Sequence, residues 1–294
     1  MKSIVVFYHK NCLDGFTAAW AAWRKFGKNA VYIGIEAKSE PVKNLRNKEI
    51  YFLDACFEEK PLRRMVKNNK KVVVIDHHLS RKDFVHIATE AVFDLKRSGS
   101  ALAWNYFHSE RLMPKLVSYV EDNDLWRFRL PYARELNNSL ETYPMTFEGW
   151  SKLAADFQFS GKRKKYIEEG RAIIKYKKKI AQELAKAGDE VFFENHRAIA
   201  VNSSILKSEI GEFVLQNKMA PLFILWHYEA KPKPKIYFSL RSNGKINVAE
   251  LAKKFGGGGH RAAGGFNFEL KKNFPGICFG EKLPWQRKSG RTEK

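Results

Sequence analysis

Lys70-Lys71-Val72-Val73-Val74-Ile75-Asp76-His77-His78 joins a short β-branched run to one acid and two imidazoles. Val72 to Ile75 reads as a strand buried on both faces, the pattern of a parallel sheet. In an open α/β sheet the carboxyl ends of the strands are where ligands bind. An acid and two imidazoles at such an edge are costly to enclose unless they are hydrogen-bonded, paired or bound to a metal.

Other segments deliver matching groups. Ile4-Val5-Val6-Phe7-Tyr8 ends at His9 and continues Lys10-Asn11-Cys12-Leu13-Asp14-Gly15, and Ile50-Tyr51-Phe52-Leu53 ends at Asp54. Leu116-Val117-Ser118-Tyr119-Val120-Glu121 runs into Asp122, with Asp124 beside it. The candidates are therefore His9, Asp14, Asp54, Asp76, His77, His78 and Asp122. Carboxylates with some imidazole suit Mn²⁺ or Mg²⁺, whereas structural zinc sites lean on thiolates. The set exceeds one ion's needs, and a bridging aspartate between two ions ~3.5–4 Å apart would use it all. A single strand-end Asp is ordinarily a cap or turn former, and a single His a packing residue. Three hydrophobic strands that each end in a ligand-type residue carry the metal reading.

Strands and helices alternate from the start. Phe16 to Phe26 reads as a helix stopped by Gly27, with Trp20 and Trp23 on its core face. Val31 to Ile35 is the next strand, Glu59 to Lys67 a helix with Pro61 in its first turn, and Ala91 to Asp94 a further strand. Ser98-Gly99-Ser100 then opens the helix Ala101 to Phe107, with Ser100 as N-cap. This alternation predicts an α/β chain whose N-terminal domain, residues 1–160, is a doubly wound parallel sheet.

A long basic connector helix is expected over 161–188, with Tyr166, Ile173, Ile180 and Leu184 on one face. A smaller mixed α/β domain follows over 189–280. It contains the strands Ala198 to Val201, Leu222 to Trp226 and Ile236 to Leu240, with a loop tip at Lys231-Pro232-Lys233-Pro234-Lys235. Asn247 to Phe255 is read as a helix that feeds the run Gly256-Gly257-Gly258-Gly259-His260. A dinucleotide-binding glycine motif follows a strand and opens a helix. Here the run follows a helix and precedes the strand Phe266 to Phe268, so that fingerprint is excluded. Consecutive glycines expose backbone N–H groups to an anion at close approach. Residues 281–294 read as a basic tail.

Among 294 residues the formal net charge is +21, which predicts attraction to polyanions with strong salt sensitivity. Hydrophobic residues make up 44%, so disorder is excluded. No run approaches the ~18 apolar residues of a membrane span. Met1-Lys2-Ser3-Ile4 passes straight into a strand without a secretion signal, and Cys12, Cys56 and Cys278 are too scattered for a disulfide framework. A cytoplasmic location is expected.

Together these segments resemble the DHH phosphoesterases. His9 to Gly15 is similar to the first motif of that family, Leu53-Asp54 to the second and Asp76-His77-His78 to the third. Tyr119-Val120-Glu121-Asp122-Asn123-Asp124-Leu125-Trp126 is similar to the fourth, and Gly256 to Gly264 to the signature of the associated C-terminal domain. The resemblance implies two Mn²⁺ ions, with Mg²⁺ as an alternative, that activate water for attack on phosphorus. It implies that Asp54 bridges the metals, that His9 holds the first, and that Asp14, His77 and Asp122 hold the second. His78 would contact the scissile phosphate and Asp76 would orient the histidine pair. Relatives often carry Asp-x-Asp in the first motif. Cys12 stands at the first of these positions, so either Cys12 is a ligand or the first metal has fewer protein donors. Ser98, Arg241, Ser242, Gly257, Gly258, Gly259 and His260 are implied in substrate binding.

The implied substrate is short single-stranded RNA, as in the NrnB-like oligoribonucleases. The further nucleic-acid-binding domain of longer RecJ-like exonucleases is not expected at this length. Cyclic or linear dinucleotides and 3′-phosphoadenosine 5′-phosphate are alternative substrates, and a decayed basic nucleic-acid-binding module is the non-enzymatic alternative.

Overall fold

The computed structural model describes residues 2–36, 42, 45–230 and 233–270. Part of the expected loop tip (Lys231 and Pro232), Cys278 and the basic tail lie outside the described residues. The chain divides into two compact units, Met1–Ile174 and Lys175–Lys294.

In the first unit, β1 (Ile4–His9), α1 (Leu13–Phe26), β2 (Ala30–Ile35), β3 (Glu49–Leu53), α2 (Glu59–Asn68), β4 (Lys71–Asp76) and β5 (Glu90–Phe93) follow in order. The helices α3 (Gly99–Phe107), α4 (Lys115–Asp124), α5 (Ala133–Leu140) and α6 (Phe147–Gln158) come next. The five strands form a sheet of order β2-β1-β3-β4-β5, and every pairing is parallel. Alternate side chains supply two cores. Val6, Tyr51, Leu53, Val73 and Ile75 pack with α1, α3, α4 and α6. Val5, Phe7, Ile50, Phe52, Val72 and Val74 pack with Leu62 and Met65 of α2. Burial on both faces is why these strands read as unbroken apolar runs. The order 2-1-3-4-5 places a topological switch point between β1 and β3. There His9 and Asp76 end β1 and β4, and Asp54 follows the last residue of β3 between them, all on one edge.

One local reading changes. The cap of α3 is Ser98, not Ser100: the Ser98 hydroxyl accepts from the Ala101 N–H at 3.3 Å. The fourth-motif segment Leu116 to Asp124 is helical.

The basic helix α7 (Ser160–Lys186) begins in the first unit and ends in the second. Its buried positions are Tyr166 and Gly170 in the first unit and Ala181 and Ala185 in the second. The expected Ile173, Ile180 and Leu184 are only half-buried. Apart from Tyr166 the buried positions carry small residues, and at Gly170 the helix packs closely. A Cβ at Gly170 would come within 1.9 Å of the Glu135 carbonyl oxygen.

The second unit contains β6 (Asp189–Phe193), β7 (His196–Asn202), α8 (Lys207–Gln216), β8 (Leu222–Glu229), β9 (Lys235–Ser242), α9 (Val248–Lys253), β10 (Gly258–His260) and β11 (Ala263–Glu269). Its sheet runs β10-β11-β9-β8-β7-β6, antiparallel except for β7 with β8. One face is covered by α8 and the end of α7 through Phe223, Leu225, Ile210 and Ala185. The other is covered by α9 through Leu240, Phe266, Val248 and Leu251. The glycine run is therefore partly a hairpin strand rather than a loop alone.

Candidate metal centre

Asp54 is the centre of the cluster. It follows β3, is 1% exposed, and sits at φ +59°, a left-handed conformation that costs a non-glycine residue strain. Its N–H donates to the Ile75 carbonyl, which holds the turn against β4. A Cβ at Gly99 would lie 2.6 Å from Asp54 Cβ, so only glycine lets α3 start this close to the acid. Gly15 serves α1 in the same way, because a Cβ there would lie 2.4 Å from the His9 carbonyl oxygen.

The two Asp54 oxygens face different partners. Oδ2 is 3.3 Å from His9 Nδ1 and 3.7 Å from Cys12 Sγ. Oδ1 is 3.2 Å from His77 Nε2 and 3.8 Å from His78 Nδ1. His77 Nε2 also lies 3.9 Å from Asp14 Oδ2 and 3.5 Å from Asp124 Oδ2. Three overlapping donor groups result: His9–Cys12–Asp54, Asp54–His77–His78 and Asp14–His77–Asp124.

Asp76 does a different job. Its Oδ1 accepts from the backbone N–H groups of His77 and His78 at 2.7 and 2.9 Å, and from His78 Nδ1 at 2.7 Å. Because a carboxylate can only accept, this fixes the proton on His78 Nδ1 and turns Nε2 outward. The structure thus places Asp76 behind the histidines.

Burial raises the Asp14 pKa well above the carboxylate range, and the charges of Asp54 and Asp124 add to it. Burial likewise raises Asp124, with the Asp54 charge second. Burial would also raise Asp54, but contacts from His77 and His9 outweigh it and hold the carboxyl below its ordinary value. Burial would lower His77, yet the contact and charge of Asp54, with Asp124 and Asp14, raise it. Three crowded carboxylates that perturb one another in this way are stabilised by a cation.

Asp14 Oδ2, Asp54 Oδ1 and His77 Nε2 are buried without a hydrogen-bond partner and converge. Orphaned donors of this chemistry fit divalent ions, with Asp54 shared between two groups. His9, Cys12 and Asp54 could hold one ion, and Asp14, Asp54, His77 and Asp124 a second.

Three expected site residues have their polar groups engaged in other contacts. Asp122 is not among the donors: its oxygens accept from the N–H groups of Arg129 and Leu130, both at 3.0 Å. The two acids point in different directions around the helix, and it is Asp124 that meets His77. Ser98 is fully buried, and its hydroxyl is engaged in capping α3 and bonding Ser100 Oγ at 3.0 Å. Ser242 is buried, donates to the Ile246 carbonyl at 2.6 Å and accepts from Gly244 N–H, which makes it a turn residue.

Sequence reading also missed supporting groups. The Ser100 N–H, in the first turn of α3, donates to Asp14 Oδ1 at 3.1 Å. Glu121 accepts from Arg97 Nε at 2.6 Å and from Ser98 N–H at 3.3 Å, which ties α4 to the start of α3. No local sequence pattern marks either contact, because each joins groups far apart in the chain.

In the second unit, Arg241 of β9, Ala263 of β11 and His260 of β10 are register partners across three strands. Directly opposed residues share a face. Arg241 and His260 therefore flank the small Ala263, on the face opposite Leu240 and Phe266. Arg241 is half-buried and donates to its neighbour's carbonyl, and His260 is exposed. The expected anion cradle of four glycine N–H groups is reduced, because Gly256 and Gly257 donate to Lys253 and Ala252. Gly257 and Gly259 are required by packing, since a Cβ would lie 2.1 and 2.4 Å from carbonyl oxygens of β11. At Gly258 a Cβ would meet nothing within 4 Å.

A DHHA1 domain is matched over residues 197–278. Uncharacterized protein R106 of Acanthamoeba polyphaga mimivirus is 26% identical over 287 residues, covering 90% of this chain and 67% of that protein. Among solved structures, a pGpG-specific phosphodiesterase, PggH, from Vibrio cholerae is 14% identical, with a TM-score of 0.50 over 96% of this chain and 97% of that one. RecJ in complex with Mn²⁺ from Thermus thermophilus is 15% identical, with a TM-score of 0.49 over 90% of this chain and 49% of that one. The likeness to PggH is one of fold. Among the described residues no helix is long and apolar enough to cross a membrane.

Proposed function

We propose, on the premise that this chain is a DHH-family phosphoesterase with a DHHA1 domain, that it hydrolyses short single-stranded oligoribonucleotides (nanoRNA) to mononucleotides. The observation that carries this reading is the split of Asp54, whose two oxygens each serve a separate metal-capable donor group. Two divalent ions, Mn²⁺ by preference, would supply an activated water nucleophile and charge to stabilise the pentavalent transition state.

The chain's own residues would do the rest. Asp54, His77 and Asp124 fix the geometry of the ion site. His78, held through Nδ1 by Asp76, presents Nε2 to a nonbridging oxygen of the scissile phosphate. Arg241 offers a planar fork suited to a second phosphate of the substrate. His260 and the uncovered backbone at Gly258 lie on the same face of that sheet. The excess of positive charge favours a polyanionic substrate.

Linear or cyclic dinucleotides are the second reading, favoured by the end-to-end fold likeness to a pGpG-specific phosphodiesterase. 3′-Phosphoadenosine 5′-phosphate would use the same chemistry. The decisive experiment is hydrolysis with Mn²⁺ of labelled RNA and DNA from dinucleotide to about 20-mer, with a cyclic dinucleotide and 3′-phosphoadenosine 5′-phosphate in parallel. Stepwise release of mononucleotides, fastest on RNA of a few residues, is expected. Turnover confined to dinucleotides would select the second reading. Binding without hydrolysis of any of them would leave a nucleic-acid-binding module.

A further inference from the structure

Trp126 stands two residues beyond Asp124, whose carboxylate approaches His77. It is 60% exposed, yet its backbone is held at φ +54°. Phe128, two residues on, is also left-handed at φ +49°. Two strained non-glycine residues in one short loop persist only where the surroundings enforce them. Here the enforcement is visible. Trp126 N–H donates to the Asn123 carbonyl at 2.9 Å, Arg127 N–H to the Asp122 carbonyl at 2.9 Å, and the Asp122 carboxylate takes Arg129 and Leu130.

The rings are fixed as well. Trp126 and Phe128 meet edge to face with centroids 4.8 Å apart. The Arg134 guanidinium lies 4.1 Å from the Phe128 centroid and 5.6 Å from that of Trp126. Phe128 packs against the main core and anchors the loop. The strain does not serve burial of the indole, because the indole stays in water. What the loop achieves is a rigid, exposed indole whose Cα lies within about 7 Å of that of Asp124, since two residues of chain span no more. A nucleoside reaches about as far from its own phosphate.

We infer that Trp126 is the stacking platform for the base next to the scissile phosphate. This rests on the phosphodiesterase reading and adds a base-binding subsite within the first unit. Stacking on an aromatic face tolerates every base, so the subsite recognises the presence of a base rather than its identity. Arg134 beneath the rings keeps the platform in one orientation.

The test compares an RNA dinucleotide with its abasic counterpart, which carries the same phosphodiester, on wild type, Trp126→Phe and Trp126→Asn. Asn tolerates positive φ, so it removes the aromatic face without adding backbone strain. Wild type should favour the base-bearing substrate in KM by roughly tenfold. Trp126→Phe should keep most of that preference and Trp126→Asn should abolish it. A dinucleotide containing 2-aminopurine, a fluorophore quenched by stacking, should lose fluorescence on wild type and not on Trp126→Asn. Thermal melting checks the fold of each variant. An unchanged preference and unchanged quenching in Trp126→Asn would remove the platform and leave the phosphodiesterase reading standing. No turnover of either dinucleotide by wild type would remove both.

Discussion

Cys12 Sγ lies 3.7 Å from Asp54 Oδ2, the same carboxylate oxygen that His9 Nδ1 approaches to 3.3 Å. A sulfur therefore shares the first donor group with one imidazole and one carboxylate, where the other groups offer only oxygen and nitrogen. Soft sulfur favours Co²⁺ and Zn²⁺ relative to Mg²⁺, and carboxylate oxygen favours the reverse. With Co²⁺ as the probe, the wild-type protein should show a sulfur-to-metal charge-transfer band in the near ultraviolet that Cys12→Ser lacks. Cys12→Asp should raise affinity for Mn²⁺ and Mg²⁺ relative to Co²⁺, measured as metal retained after dialysis. A Co²⁺ spectrum indifferent to Cys12→Ser would show that the thiol stays off the metal.

Asp122 and Asp124 should separate stability from activity. Asp122→Ala removes a buried carboxylate that accepts two backbone N–H groups, and should cost about 2–4 kcal/mol in unfolding free energy. Asp124→Asn removes a metal-capable group, so it should leave melting close to wild type while lowering metal content and reducing turnover by orders of magnitude. Asp76→Ala should fall between them, with metal largely retained and activity down ~10–100-fold as His78 loses its support. Denaturant melts and metal analysis on the three purified variants distinguish these outcomes. Equal metal loss in Asp122→Ala and Asp124→Asn would contradict the assignment of Asp124.

These aspartates and Asp54 show what was legible in the chain. Asp54 and Asp76 were readable because each follows or ends an apolar strand, and neighbouring parallel strands bring their ends to one edge. Asp122 and Asp124 sit at the end of a helix, where residues two apart point about 200° apart around the axis. Only the packing of α4 decides which acid meets His77. Gly15, Gly99 and Ser100 were hidden for a related reason. Each acts through an approach to a group outside its own helix, and local pattern carries no record of such contacts. The same limit applies to α7, where Gly170, Ala181 and Ala185 are buried and the larger Ile173, Ile180 and Leu184 are only half-buried.

The glycine run makes a graded prediction. Gly257→Ala and Gly259→Ala would drive a Cβ into carbonyl oxygens of β11 and should destabilise the second unit by about 1–3 kcal/mol or more. Gly258 is neither left-handed nor crowded, so Gly258→Ala should melt within about 0.5 kcal/mol of wild type. If glycine is there to let substrate approach the backbone, Gly258→Ala should still raise KM severalfold. Unchanged kinetics in a stable Gly258→Ala protein would mean that the substrate does not reach this strand.

Arg241 and His260 test whether the second unit grips the substrate. They flank Ala263 on one sheet face, two strand spacings apart, or roughly 10 Å. Neither belongs to the donor groups around Asp54. Arg241→Ala and His260→Ala should therefore retain near-normal metal content and melting behaviour, yet lose affinity for oligoribonucleotides. The defect should shrink on bis(p-nitrophenyl) phosphate, which carries the scissile diester but no second phosphate. Contacts to a remote part of a substrate can assist the turnover of that substrate and not of a truncated one. The ratio of kcat/KM on the two substrates is the quantity to measure, because a general loss of fold or metal lowers both together. A ratio that stays at the wild-type value in both variants would place Arg241 and His260 outside substrate recognition, and the grip by the second unit would have to be abandoned.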